Sequence, residues 1–203
     1  MNAKQNLPDL SVHRAYPTQY VCAWETKSGL KLSIRPIRPE DEPAMARFHA
    51  ALSDRSVYLR YFHMEKLSSR VDHTRLARRC FVDYDSEMAL IAEYFSVETG
   101  QNEIIGVGRL VRAPGENEAE VALVVADKFQ KDGVGSELMK HLIHVARDGK
   151  LERIVAVVLP ENMGTRVLAG RHGFKTAKSE DLSSIELALD LRETASDHKN
   201  CSD

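Results

Sequence analysis

The sequence predicts an α/β (α+β) domain in which helices flank one central mixed, mostly antiparallel sheet. Three observations predict it. Short apolar or alternating runs are separated by hairpin-type breaks, stretches with helical spacing interrupt them, and the two kinds follow a definite order. That order is strands, helices, three hairpin-linked strands, helix, strand, helix, strands, which suits a layered domain around one sheet. The 203 residues fit a single compact domain, and 43% hydrophobic content is enough for a core.

The elements follow one another from the N-terminus. Residues 1–15 are polar and aperiodic and read as a flexible segment; the domain is expected over 16–192, with a disordered tail at 193–203. Residues 20–26 and 30–37 alternate around Lys27-Ser28-Gly29, where glycine can supply the positive φ of a hairpin turn. Arg38-Pro39-Glu40-Asp41-Glu42-Pro43 opens a helix with acidic residues where the helix dipole favours them, and Met45, Phe48 and Leu52 form its apolar stripe. An aromatic-rich connection, Val57-Tyr58-Leu59-Arg60-Tyr61-Phe62, leads to a second helical stretch at about 69–81.

Strands are expected at 88–95, 103–111 and 118–125, broken by Glu98-Thr99-Gly100-Gln101-Asn102 and by Ala113-Pro114-Gly115-Glu116. A helix over 133–147 carries Leu138, His141, Leu142 and Val145 at helical spacing. A buried strand at 153–159, a helix at 163–171 ending at His172-Gly173, and strands at 174–178 and 185–191 complete the domain.

Bulk properties exclude several classes. A net charge of -2 gives no electrostatic basis for nucleic-acid or anionic-membrane binding. Cys22, Cys80 and Cys201 share no metal or redox spacing, and their odd number argues for a reducing compartment. The N-terminal residues contain no secretory apolar segment, and no run approaches the roughly 18 apolar residues of a membrane helix. The expected location is cytoplasmic, with no nucleic-acid or membrane partner. His141 and His144 lie one helical turn apart but lack a third ligand at useful spacing, so no metal is expected.

The chemistry-bearing segment is Gln130-Lys131-Asp132-Gly133-Val134-Gly135-Ser136. A strand, a glycine loop and a helix start make an anion site, because unpaired backbone N–H groups and the macrodipole both favour negative charge there. A Walker-type loop would need a Lys-Ser/Thr pair after its last glycine, and a dinucleotide fingerprint a third glycine near Leu138. Neither is present. On the preceding strand Glu118 and Glu120 face one side together with Ala122 and Val124, while Val121, Leu123 and Val125 face the other.

Gln130-x-x-Gly133-x-Gly135 matches the Q/R-x-x-G-x-G/A motif of the GNAT superfamily. Asn162 before a helix ending in Gly173-Phe174 resembles its second signature, and the opening IRPIRPED resembles its first strand. The segments YPTQY, IRPIRPEDEP, SVYLRYFH, FVDYDSEMALIAEY, IIGVGRL, NEAEVALVV and LPENMGTRV further resemble the acetyltransferase domain of bacterial Pat-type protein-lysine acetyltransferases. The resemblance implies a GNAT fold, acetyl-CoA as cosubstrate and a protein-lysine ε-amine as acceptor.

It also implies roles for particular residues. The family's catalytic glutamate falls at Ala119-Glu120-Val121, making Glu120 the general base, with Glu118 as the competing carboxylate. Backbone groups of Leu123, Val124 and Val125 are expected to meet the pantetheine arm, and Gln130 to Ser136 the pyrophosphate. Asn162 has two open readings, a pantetheine contact or a helix cap. One position departs from the family: Ala169 stands where many members place a tyrosine that protonates the leaving thiolate, so no general acid is assigned. Tyr58, Tyr61 and Phe62 are candidates for the acceptor entrance or for core packing; Arg75, Arg78 and Arg79 form a basic helical face. The competing functions are acetylation of a small-molecule or N-terminal amine, and a non-catalytic acyl-CoA sensor.

Overall fold

A computed structural model describes residues 15–177 and 183–192. The expected terminal segments lie outside the described residues, except Ala15. Cys22–Glu25 (β1) and Lys31–Pro36 (β2) form the first hairpin, with Gly29 at φ +88°. Glu42–Ala51 (α1) buries Met45 and Phe48, as its stripe predicts. Asp54–Tyr61 (α2), Leu67–Arg70 (α3) and His73–Cys80 (α4) follow. The long strands are Glu87–Ser96 (β3), Gln101–Arg112 (β4) and Glu118–Val125 (β5). Val134–Asp148 (α5), Arg153–Val158 (β6), Met163–Arg171 (α6), Lys175–Thr176 (β7) and Ile185–Asp190 (β8) are the remaining elements of the described residues.

Two local expectations change. The aromatic-rich connection is helical: the Ser53 side chain caps α2 by accepting from the Ser56 N–H, and Phe62 ends it in the left-handed region at φ +66°. The single helix expected at 69–81 is two, because Asp72 accepts from the Arg75 N–H and starts a new helix after the break at Val71.

Among the described residues, eight strands form one sheet in the order β1-β2-β3-β4-β5-β6-β8-β7. Of its pairings only β5 with β6 is parallel, so the sheet is mixed and mostly antiparallel as expected. One face packs on α5 through Ile34, Leu90, Leu138, Leu142 and Ile154; the other packs on α1, α2 and α4 through Ile37, Met45, Phe48, Val57, Leu76 and Ile91. Burying each such side chain contributes about 2 kcal/mol. Helix α5 sits tightly on β4, where a Cβ on Gly108 would come 2.7 Å from Leu142 Cδ1.

One polar device is built into the sheet. Arg35 donates to both oxygens of Glu93 (2.6 and 2.9 Å) and both of Asp41 (2.8 and 2.7 Å), and Asp41 also accepts from the Arg38 N–H at 2.6 Å. The Arg-Pro-Ile-Arg-Pro-Glu-Asp run therefore ties the sheet to the start of α1. Its charges are structural.

Candidate active site where strands β5 and β6 part

Strands β5 and β6 pair through only three positions, Glu118 with Arg153, Ala119 with Ile154 and Glu120 with Val155. Beyond Glu120 they diverge: β5 continues along β4 to Val125, and β6 along β8 to Val158. The outer edge of residues 121–125 thus faces a gap in the sheet. Such an edge offers backbone N–H and C=O groups to an extended ligand.

Two carboxylates stand where the strands part, in different settings. Glu118 Oε2 lies 2.7 Å from the Arg153 guanidinium, which also reaches Glu186 at 2.8 Å. Glu120 is exposed and has no ion-pair or hydrogen-bond partner for its carboxylate among the described residues. Ala122 and Val124, which share its face, line a small open cleft with Arg60, Tyr61, Arg79 and His49. A carboxylate with no hydrogen bond among the described residues therefore stands on the strand face that leads into this cleft, and its charge reaches Arg60.

The glycine loop closes the other end. A short 3-10 turn, Asp127–Phe129, leads to Gln130. Lys131 adopts φ +66° and Gly133 φ +97°, and Gly133 is the N-cap residue of α5. A Cβ on Gly133 would meet Trp24 Cη2 at 3.0 Å, so both backbone conformation and space require glycine. A Cβ on Gly135 would meet Leu168, Val125 and Leu123 at 3.5–3.7 Å, ordinary contact that an alanine satisfies.

The side chains of Gln130, Asp132, Val134 and Ser136 are engaged by the protein. Gln130 donates to the Val125 carbonyl at 3.0 Å and to Ser56 Oγ at 3.2 Å. Asp132 accepts from the Ser28 N–H (2.9 Å) and hydroxyl (2.5 Å), fastening the loop to the β1–β2 turn. These hydrogen bonds hold its carboxyl below the usual range. Val134 is buried, and Ser136 Oγ lies 2.8 Å from His172 Nε2. What remains for an anion is the backbone N–H groups at the start of the 15-residue α5, beside the exposed Lys131.

Helix α2 bridges the gap's two sides. Asp127 accepts from the Ser53 N–H (3.0 Å) and from the Ser53 (2.6 Å) and Ser56 (2.8 Å) hydroxyls, joining the loop after β5 to the α2 N-terminus. Partial burial would raise the Asp127 pKa, but these hydrogen bonds outweigh it and hold the carboxyl below its ordinary value. Asn162 caps α6 by accepting from the Thr165 N–H at 3.1 Å, and its amide donates to the Leu59 carbonyl at 3.4 Å. The capping reading of Asn162 is thus present. Ala169 is fully buried and offers no proton.

The structure brings Glu120, Leu123, Val124, Val125, the Gln130–Ser136 loop and Asn162 around one gap. Asp127, His49, Arg60 and Trp24 were not singled out from the sequence as site residues. The contacts of Asp127 with Ser53 and of Trp24 with Gly133 join segments far apart in the chain, so no local spacing signals them. His141 lies 3.3 Å from Cys22 Sγ and from Glu137, and His144 3.6 Å from Asp148. Among the described residues no group of three or more His, Cys, Asp or Glu side chains is arranged to hold a metal ion, and no helix is long and apolar enough to cross a membrane.

The parallel strands part beside a glycine-capped helix start, in a fold that known proteins share. The family model described as an acetyltransferase (GNAT) domain matches residues 31–175. Acetyltransferase PA5475 of Pseudomonas aeruginosa is 30% identical over 156 residues, 77% of this chain and 81% of its own length. Acetyltransferase Pat of Mycolicibacterium smegmatis is 28% identical over 171 residues, 82% of this chain and 48% of its own, so this chain spans about half of that relative. The crystal structure of the GNAT domain of S. lividans PAT superposes with a TM-score of 0.77 at 28% identity, covering 87% of this chain and 100% of that one.

The chain belongs to the GNAT acetyltransferase family, and it is an acetyl-CoA-dependent acyltransferase with the fold that the sequence resemblance implied.

Proposed function

We propose that the protein acetylates protein-lysine ε-amines by direct attack in a ternary complex, with Glu120 as general base. The observation that carries this reading is the position of Glu120: an exposed, unpartnered carboxylate at the last β5–β6 pair, on the face that forms the cleft. Lysine as the acceptor follows from the likeness to Pat-type domains. The odd cysteine count favours a cytoplasmic setting.

Acetyl-CoA supplies the activated acetyl thioester. The residues around the gap fit it: the α5 start, with Gly133 cleared of a side chain beneath Trp24, accommodates a pyrophosphate on the backbone N–H groups of 131–136. Leu123 and Val124 offer main-chain groups to the pantetheine, while the Val125 carbonyl is held by Gln130. Asn162, holding α6 against α2, borders the same channel.

A lysine ammonium, with an ordinary pKa of about 10.4, must lose a proton before it attacks. Glu120 accepts that proton, directly or through a water. The neutral amine then forms the C–N bond as the C–S bond breaks; the sulfur leaves as thiolate, and the remaining amine proton passes to solvent water or to that thiolate as the amide forms. A thiol pKa of about 8.5 makes this departure feasible without an acid, in keeping with Ala169. Thiol release measured with acetyl-CoA and a panel of lysine peptides, proteins and small amines tests the acceptor: we expect release with peptides, and release with small amines alone would overturn the lysine reading.

A further inference from the structure

Tyr61 stands among three guanidiniums. Arg60 lies 5.1 Å from its ring centroid, Arg79 5.5 Å and Arg75 5.6 Å, all within cation–π range. Their countercharges are unequal. Arg75 pairs with Glu65, and Arg109, which lines the same cleft, pairs with Glu87. Arg60 and Arg79 make no close ion pair with a carboxylate among the described residues; the charge of Glu120 reaches Arg60, and both side chains are only partly exposed. Besides burial, the Arg79 cation, half-shielded from water, lowers the stability of charge on Arg60 beside it, because neighbouring cations repel more strongly there than in bulk water.

His49 is an independent sign. It is 4% exposed, it lines the same cleft, and its Nδ1 is buried without a hydrogen-bond partner among the described residues. A buried polar atom left unmade is costly, and a ligand group that meets it removes the cost. Burial, and then the charges of Arg79, Arg75, Arg109 and Arg70, push its pKa down to about 4. At neutral pH His49 is therefore an uncharged polar group in a cationic pocket. In its Nδ1–H tautomer it donates a hydrogen bond.

The cleft lies beside the reacting end of the site. Its floor, Ala122 and Val124, begins two residues beyond Glu120 on the same strand face, a step of roughly 7 Å. Neighbouring residues of an extended peptide are about 3.8 Å apart, so a side chain one or two positions from a lysine at Glu120 falls over the cleft.

We propose that this cleft is a carboxylate subsite for the acceptor, so that the acetylated lysine has an aspartate or glutamate one or two residues away. The inference rests on the lysine reading above, and the test separates the two. Thiol release is measured with peptides identical except for Glu, Gln or Lys flanking one lysine, and with Nα-acetyl-lysine beside its amide. We expect kcat/KM for the Glu peptide to exceed that for the Gln peptide by about tenfold, the size of one good charged contact. The Glu/Gln ratio should fall to about one in Arg79→Gln, stay partly raised in Arg79→Lys and invert in Arg79→Glu.

Equal rates for Glu, Gln and Lys peptides with the unsubstituted protein overturn the subsite, whatever the folding of the variants. Reaction with Nα-acetyl-lysine well above its amide, and with no peptide, keeps the carboxylate subsite and removes the protein acceptor. Equal reaction with the two small amines and none with peptides removes both, as does silence in every arm.

Discussion

The Glu118 carboxylate lies 2.7 Å from the Arg153 guanidinium, across the last stretch in which β5 and β6 still pair. Arg153 also holds Glu186 on β8, so this carboxylate is committed to joining three strands. Two residues further on, Glu120 has no comparable partner among the described residues. Residue spacing puts both glutamates on one face but does not distinguish them; the ion pair does. Because the pair is partly exposed, Glu118→Gln should cost at most about 1 kcal/mol of stability, read from urea unfolding. Turnover should stay within about threefold of the unsubstituted enzyme, and a collapse comparable to loss of a general base would return Glu118 to contention.

The two loop glycines should respond differently to alanine. Gly133 combines φ +97° with Trp24 at 3.0 Å from a built Cβ, so Gly133→Ala must shift the loop. We expect acetyl-CoA affinity by calorimetric titration to weaken by about tenfold or more, a cost of about 1.4 kcal/mol. Gly135 has no positive φ and room at 3.5 Å, so Gly135→Ala should bind within about threefold of the parent. Equal losses at the two positions would mean that glycine content, not local geometry, governs the loop.

Arg35, Glu93 and Asp41 form a buried cluster away from the gap. Removing one charge strands the others, so Glu93→Gln or Asp41→Asn should lower unfolding free energy by about 3 kcal/mol. Per folded molecule, kcat/KM should not change. Lost activity without lost stability would assign the cluster a catalytic part.

His49 makes stability acid-sensitive. Its folded pKa of about 4 lies below its ordinary 6.5, so between those values the unfolded chain binds more protons. Its contribution is fully present above pH 6.5 and is lost as pH falls towards 4. Between pH 7 and pH 5 the parent should lose on the order of 2 kcal/mol from this group, and His49→Gln should flatten that slope. Denaturant midpoints at the two pH values read the difference. An identical slope in the variant would mean that His49 is already charged in the folded state.

Much of the architecture was legible because periodicity reports which face of an element is buried. The β5 alternation, the α5 stripe and the turn at Gly29 all follow from local pattern. The helix at Asp54–Tyr61 was not, because its cap at Ser53 sits before an aromatic run that lacks a continuous apolar stripe. In the site, the glycine loop was legible as a motif, and strand parity put Glu118 and Glu120 on one face without choosing between them. What selects between the two carboxylates, and what fastens the loop, depends on Arg153, Trp24, Ser28 and Asp127 meeting their partners across the chain. Such contacts carry no fixed spacing and appear only when the sheet is assembled.

The claim that Glu120 takes the acceptor proton is tested most directly by Glu120→Gln, an exposed substitution that leaves the strand pairing intact. Steady-state turnover and acetyl-CoA binding are measured on the same preparation. We expect kcat to fall by on the order of 10²–10³ while the acetyl-CoA Kd stays within about twofold. An unchanged kcat would contradict the assignment and leave the parting of β5 and β6 a binding site whose base lies elsewhere.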